Sequence, residues 1–152
     1  MRNTVTNEAI ATSVRSQSVR WSNRVRNAIG RGLSPLRSAP PKEFDGPGDA
    51  WSPEQLLLAA VETCFLFTFR AVARASKFDY ASLDLSGSGT VDRVEGTTRF
   101  TEIVLGLRLT LPNGGDPERA KRMLEKGKNA CLVTASLSVP VRLDSEIVVG
   151  PA

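Results

Sequence analysis

The chain has 152 residues, of which 41% are hydrophobic and 24% charged, with a formal net charge of +4, no histidine and two cysteines. This composition indicates one soluble globular domain that is long enough to bury a core. The lack of histidine excludes Ser-His-Asp and Cys-His nucleophile arrangements within one chain, and two distant cysteines are too few for a zinc site. We therefore expect no metal, and any catalysis must use cysteine, carboxylate, hydroxyl or basic side chains.

The sequence predicts a cytoplasmic protein that does not span a membrane. The most apolar stretch, residues 56–73, is interrupted by Glu62 and Arg70, and no secretory signal precedes it. Two cysteines without an export signal indicate a reducing compartment. A lasting structural disulfide is not expected there, whereas a transient redox-active pair remains open.

The N-terminal segment is strongly basic. Its seven arginines face a single acid, Glu8; they are Arg2, Arg15, Arg20, Arg24, Arg26, Arg31 and Arg37. We interpret residues 1–18 as a basic arm whose order is left open, and residues 19–152 as the domain. A solvated arm with an edge strand fits this pattern, and the alternatives are nucleic-acid contact or an arginine directed at an active site. Interleaved aromatic residues are missing, so we do not expect a nucleic-acid partner.

A long apolar helix follows a connection rich in proline and glycine, residues 39–51. Ser52 is the predicted N-cap, Pro53 the first helical residue, and Gln55 the return arm of a capping box. Beyond them the helix is apolar on nearly every side, which is typical of a central helix enclosed by other elements. Its narrow face of small residues lets another backbone approach; the members are Ala60, Cys64, Ala71 and Ala75.

A β-hairpin is predicted next, because two segments alternate between apolar and polar residues around the turn at residues 94–97. The second segment is the clearer; its apolar side consists of Ile103, Leu105, Leu107, Leu109 and Leu111. A second helix begins at the N-cap Asp116 with Pro117 in its first position. Its small and apolar residues form one stripe: Ala120, Met123, Leu124, Gly127, Cys131 and Ala135. A final strand from Val139 to Val149 completes an α+β fold with two helices against a largely antiparallel sheet.

Each cysteine taken alone is most simply an inert part of an apolar core. However, Cys64 and Cys131 lie on the small-residue stripes of the two longest helices, so packing of these helices would bring the sulfurs together. Such a pair in a reducing compartment indicates reversible oxidation more than structure. A reactive thiolate needs a cation nearby, and without histidine this must be arginine or lysine.

The segment "SPEQLLLAAVETCF", residues 52–65, resembles the signature of the OsmC/Ohr family, the osmotically induced protein C and organic hydroperoxide resistance proteins. That signature has a Pro-Glu pair, a turn rich in leucine and alanine, and a cysteine ten residues after the glutamate. Glu54 and Cys64 keep this spacing. "KNACLVTASL" resembles the second-cysteine segment and matches at Cys131, and the resemblance covers roughly residues 19–149.

The resemblance implies a thiol peroxidase for organic hydroperoxides or hydrogen peroxide, with no metal or organic cofactor. Cys64 would become a sulfenic acid, Cys131 would resolve it as a disulfide, and an external dithiol would reduce that disulfide. In the family an arginine bound to the glutamate keeps the thiolate charged. Glu54 matches the glutamate, and Arg24 in "WSNRVR" is the best match for the arginine, with Arg26 and Arg31 as alternatives.

The resemblance also implies an OsmC-like fold with two long central helices in an intertwined homodimer. Glu54 and Cys64 are ten residues apart, about 15 Å along one helix, so they cannot meet in one site within one chain. Leu132 follows Cys131 where family peroxidases often have proline. This departure leaves an alternative open, a non-catalytic OsmC-like protein that binds a small apolar ligand at the dimer interface.

Overall fold

The computed structural model describes residues 34–150 and, before them, the backbone of three strands. The elements in chain order are β1 (Asn3–Asn7), β2 (Ser18–Arg20), β3 (Arg26–Ile29), β4 (Leu36–Ser38), a 3-10 helix (Lys42–Phe44), α1 (Pro53–Ala75), β5 (Ser82–Val94), β6 (Thr97–Leu111), α2 (Pro117–Ala130), α3 (Leu132–Ala135) and β7 (Val141–Val149). Strands, long helix, hairpin, helix and strand follow one another in the order that the sequence predicts.

The chain forms two compact units, one made of residues 11–57 and the other of residues 1–10 and 58–152. The first contains the antiparallel sheet β2-β3-β4 and the connection that leads into α1. Arg37 in β4 pairs with Asp49 in that connection at 3.0 Å. The division of the chain into an arm, 1–18, and a domain, 19–152, stays a prediction.

The second unit contains a four-stranded mixed sheet in the order β1-β5-β6-β7. The pairs β1–β5 and β5–β6 are antiparallel, whereas β6–β7 is parallel. The hairpin turn between β5 and β6 places Glu95 at φ 50° and Gly96 at φ 81°. Two successive positive φ values are what a type I′ turn requires, and its twist matches that of the flanking strands. The predicted hairpin is therefore confirmed.

The core lies between the sheet and one side of α1. The predicted apolar side of β6 is buried throughout, and so is a stripe of α1 at helical spacing, Leu58, Val61, Phe65, Phe69 and Ala73. Removing these side chains from water is the main stabilising contribution to the unit. Within the described residues of one chain a single sheet covers only one side of α1, so the enclosure predicted for this helix stays a prediction. Phe67 is 48% exposed.

Among the described residues, α1 is the single helix whose length and apolar composition would suffice to cross a membrane. A core helix of a soluble protein meets the same criterion, and α1 buries six of its residues in this way.

Both helix starts follow the predicted chemistry. Ser52 N donates to Gln55 Oε1 at 3.0 Å while Gln55 N donates to Ser52 Oγ at 3.1 Å, which completes the capping box. At α2, Asp116 Oδ1 accepts hydrogen bonds from Glu118 N and Arg119 N. These caps satisfy backbone N–H groups that have no partner within the helix.

The second helix is shorter than the sequence predicts. It ends at Ala130, and Cys131 has an extended backbone with φ −73° and ψ 114° before the chain enters α3. The expected single stripe from Ala120 to Ala135 is therefore wrong at its end. The spacing of apolar residues cannot distinguish one long helix from two helices that are joined by a single extended residue. The sequence also has no glycine or proline at this junction.

Candidate active site

Two contacts show that α1 and α2 run antiparallel. Arg119 near the start of α2 donates to Ser76 O, just past the end of α1, at 2.7 Å. Gly127 lies eight residues after Arg119 on α2, and a Cβ on it would lie 3.4 Å from Phe69. Phe69 lies seven residues before Ser76, so the contact has moved along the two helices in opposite directions. Because both helices rise 1.5 Å per residue, the same register brings the end of α2 at Ala130, and with it the following residue Cys131, close to Cys64. The close approach predicted at Gly127 is thus present.

The two cysteines are neighbours, and both are free thiols. Their side chains lie close enough for Cys64 to act directly on the pKa of Cys131. Their environments differ, because Cys64 is only partly buried whereas Cys131 is 0% exposed. Among the predicted site residues, this is the pair that the structure brings together.

Burial raises the pKa of the Cys131 thiol above its ordinary value of 9.0, and the neighbouring Cys64 raises it further. The side chain and backbone of Thr134 lie beside Cys131 and partly offset this increase. The Thr134 hydroxyl is buried and, among the described residues, has no hydrogen-bond partner. Cys131 is therefore held as a neutral thiol near neutral pH, in contact with a hydroxyl that can bind its sulfur.

Glu54 lies in the first turn of α1, where the helix dipole favours a negative charge. One of its carboxylate oxygens, Oε2, is buried and has no hydrogen-bond partner within residues 34–150. A buried carboxylate oxygen without a donor costs free energy, so such an atom calls for a partner. Glu54 and Cys64 both belong to α1, with the ten-residue separation noted above.

The predicted cation falls outside what the structure describes. Arg24 and Arg31 lie outside the described residues, and of Arg26 only the backbone in β3 is described. The choice of Arg24 as the partner of Glu54 and Cys64 therefore stays a prediction.

Sequence reasoning missed one ionisable group in the core. Glu62 on α1 is 2% exposed, and its Oε1 has no hydrogen-bond partner in the described part of the chain. Burial raises its pKa from 4.5 to about 7, and a hydrogen bond from the Gly87 backbone partly opposes this. A Cβ on Gly87 would lie 2.3 Å from Glu62 Oε1, so the glycine makes room for the carboxyl. The available signal was a single acid in an otherwise apolar helix segment.

Within the described residues, no three Cys, Asp or Glu side chains lie close enough together to hold a metal ion. The predicted site residues that the structure describes are two neighbouring thiols and, ten residues before Cys64 on the same helix, the Glu54 carboxylate.

Comparison with known proteins identifies the family. The model of the OsmC-like protein family matches residues 46–146, which is more than half of the chain. The chain belongs to the OsmC-like family. The resemblance seen in the sequence is thereby confirmed.

Two relatives illustrate the range of this family. The chain is 25% identical over 115 residues to the uncharacterized protein YmaD of Bacillus subtilis, covering 72% of this chain and 77% of that protein. It is 26% identical over 96 residues to peroxiredoxin OsmC of Escherichia coli, covering 63% of this chain and 66% of that protein.

Solved structures show the same fold. An organic hydroperoxide resistance protein OsmC from Legionella pneumophila has a TM-score of 0.68 at 20% identity, covering 96% of both chains. An organic hydroperoxide resistance protein from Elizabethkingia anophelis has a TM-score of 0.72 at 17% identity, covering 93% of this chain and 100% of that one. At these identities the likeness concerns the fold alone, and it confirms the predicted OsmC-like α+β architecture.

Proposed function

We propose that the protein is a thiol-dependent peroxidase that reduces organic hydroperoxides or hydrogen peroxide through Cys64 and Cys131. The observation that carries this proposal is the contact between one partly exposed thiol and one fully buried thiol. Membership in a family that includes peroxiredoxin OsmC supports it.

The reaction balances with these two sulfurs and one external reductant. The Cys64 thiolate attacks a peroxide oxygen, so that an S–O bond forms, the O–O bond breaks, and the alkoxide takes up a proton and leaves as an alcohol. The Cys131 sulfur then attacks the Cys64 sulfenic acid; an S–S bond forms and water leaves with the Cys131 proton. An external dithiol returns both cysteines to thiols by exchange and is itself oxidised to a disulfide.

Exposure decides which cysteine attacks first. Cys131 is 0% exposed and its pKa is raised, so it neither meets a peroxide nor offers a thiolate. Cys64 is only partly buried, and its sulfur lies next to the resolving thiol. This order of reaction needs no large movement of either helix before the disulfide forms.

The proposed site is completed across a homodimer. The uncovered side of α1, with Phe67 at 48% exposure, is apolar surface that a second copy would remove from water. In the same assembly, Glu54 of one chain would hold Arg24, and this arginine would stabilise the Cys64 thiolate of the other chain. Within residues 34–150, Oε2 of Glu54 is buried and accepts no hydrogen bond. This supports a cationic partner of this kind, because a guanidinium would donate a hydrogen bond to that oxygen. We place this enzyme in the cytoplasm, where dithiol reductants are present.

The test is a thiol titration of the reduced protein after mixing with cumene hydroperoxide. Wild type should lose both thiols rapidly to an internal disulfide, which mass spectrometry of a non-reduced digest identifies. Cys64→Ser should keep its remaining thiol, whereas Cys131→Ser should stop at a Cys64 sulfenic acid that dimedone traps. Equal reactivity of the two variants would refute the assigned roles, and no reaction of wild type would favour the ligand-binding alternative.

A mixing experiment tests the composite site. Glu54→Gln and Cys64→Ser chains should each be inactive or nearly so on their own. Unfolding and refolding them together should restore activity, because a mixed dimer joins the intact Cys64 of one chain to the intact Glu54 of the other. A mixture that stays inactive while forming mixed dimers would contradict a site shared between subunits.

A further inference from the structure

The Thr134 side chain carries a buried polar group that the proposed reaction does not yet use. Its hydroxyl oxygen, Oγ1, is shielded from solvent and, among the described residues, has no hydrogen-bond partner. A buried hydroxyl without a partner costs free energy, so the group calls for an explanation. A second copy of the chain does not supply the partner, because an atom that is already shielded within one chain is out of reach of another.

The break between α2 and α3 removes the carbonyl that would ordinarily accept from this hydroxyl. A threonine hydroxyl in a helix commonly donates to the carbonyl four residues earlier, as Thr63 does to Ala59 O at 2.7 Å. Four residues before Thr134 lies Ala130, the last residue of α2. The extended backbone of Cys131 follows it, so the Ala130 carbonyl is not in helical position relative to Thr134. The hydroxyl therefore stays available to another group.

The polar group that lies beside Thr134 is the Cys131 sulfur. Burial raises the pKa of this thiol, and within residues 34–150 the side chain and the backbone of Thr134 are the groups that lower it. No charged side chain among those residues does so. A hydroxyl and an N–H are both hydrogen-bond donors, and donors beside a sulfur favour its anionic form. Thr134 is thus placed to act when Cys131 carries a negative charge.

In the proposed cycle, Cys131 carries this charge when the disulfide is opened. Cys131 is 0% exposed whereas Cys64 is only partly buried, so the external dithiol attacks the Cys64 sulfur. An S–S bond forms between the dithiol and Cys64, the Cys64–Cys131 bond breaks, and its electron pair leaves on Cys131 as a thiolate that then takes up a proton. The second thiol of the reductant closes its own disulfide and releases Cys64 as a thiolate. A thiol with a lower pKa leaves faster in such an exchange, so burial of Cys131 slows this step and donors beside it speed it.

We propose that Thr134 assists reduction of the disulfide by donating its hydroxyl and its backbone N–H to the sulfur that leaves on Cys131. This role rests on the proposed function, because it requires the Cys64–Cys131 disulfide. It adds to that function a residue that acts on a reacting atom in the step that regenerates the thiols. The two donors belong to the same chain as the sulfur, so the role does not depend on how two chains assemble.

The first test forms the disulfide with diamide, so that the peroxide reaction is not needed, and follows its reduction by excess dithiothreitol through thiol titration. Thr134→Val keeps the shape of the side chain without the hydroxyl. It should lower the rate constant about tenfold, through the loss of one hydrogen bond to a charged group, and Thr134→Ser should restore most of the rate. The matched control is Thr101→Val in β6, where the hydroxyl donates to Thr90 O at 3.3 Å, and it should reduce at the wild-type rate.

A titration of the Cys131 thiol separates this role from a structural one. In the Cys64→Ser background, NMR of the single labelled cysteine reports the pKa through its Cβ chemical shift. This pKa should be higher with Thr134→Val than with Thr134, and Thr134→Ser should leave it unchanged. An unchanged reduction rate would overturn the proposal, and so would a slower rate without a change in this pKa.

The two proposals fail in different ways. Wild type that does not react with a hydroperoxide, but whose diamide-formed disulfide is reduced more slowly after Thr134→Val, would contradict the peroxidase and support the role of Thr134. Wild type that reacts with the hydroperoxide and is reduced at the same rate as Thr134→Val would do the reverse. Failure of diamide to join the two cysteines would overturn both.

Discussion

Replacement of Glu62 by glutamine should remove a pH-dependent loss of stability from the core. Glu62 is 2% exposed in the chain, and burial raises its pKa from 4.5 to about 7. The folded state therefore binds the proton more tightly than the unfolded state, so stability must fall as the pH rises through this interval.

The change in the free energy of unfolding with pH follows from the coupling between proton binding and folding. Below pH 4.5 the carboxyl is protonated in both states and the full stability is present. Between pH 4.5 and 7 the unfolded state loses its proton first, which lowers the free energy of unfolding. Above pH 7 both states are ionised and the loss is complete. An interval of about 2.5 pKa units at about 1.4 kcal/mol each amounts to about 3.5 kcal/mol in all, of which about 3 kcal/mol falls between pH 4.5 and 8.

The assay is urea unfolding followed by circular dichroism at pH 4.5, 6 and 8 at one protein concentration. Glu62→Gln keeps the shape of the side chain, so the difference from wild type at pH 4.5 measures the cost of the exchange itself. By pH 8 the difference should have moved by about 3 kcal/mol in favour of the variant, with an unchanged m-value. Glu43→Gln, at an exposed position, is the control and should show no such trend.

Parallel curves for wild type and Glu62→Gln from pH 4.5 to 8 would refute this reasoning. They would mean that the carboxyl reaches water or a donor in the folded state, and that its pKa is close to 4.5.

Three further predictions concern the helices and the thiols. In the native reduced protein, iodoacetamide should modify Cys64 while Cys131 reacts only on unfolding, as peptide mass spectrometry would show; equal rates would contradict the burial of Cys131. Ser52→Ala should lower the free energy of unfolding by about 1 kcal/mol through loss of the capping box, measured by urea unfolding, and an unchanged midpoint would contradict it. Gly87→Ala should cost about 1–3 kcal/mol, because its Cβ would displace the Glu62 carboxyl; full stability would show that the carboxyl has room to move.

Local chemistry in the sequence was sufficient to predict much of the fold. The capping box at Ser52, the N-cap at Asp116 and the turn at Glu95–Gly96 each depend on a few adjacent residues, and each is present. The alternation in β5 and β6 predicts which side is buried, because successive side chains of a strand point to opposite faces. These features need no knowledge of distant contacts.

What the sequence did not show depends on tertiary packing. The break of the second helix at Cys131 has no glycine or proline signal. The exposure of Phe67 depends on how much of α1 one sheet can cover, and helical spacing does not measure this. The burial of Glu62 required Gly87 to lie opposite it, and the pairing of α1 with β5 across the core cannot be read from either segment alone.

The two sides of α1 connect the core to the site. The buried stripe holds Phe69 in the core, and a Cβ on Gly127 would lie 3.4 Å from Phe69, at the short end of ordinary van der Waals contact. That contact sets the register of α2 against α1, and the register places Cys131 next to Cys64. A side chain larger than that of alanine at position 127 would therefore push the helices apart and separate the sulfurs, even though it touches neither of them. The contact between the thiols is thus a consequence of core packing one helical turn away.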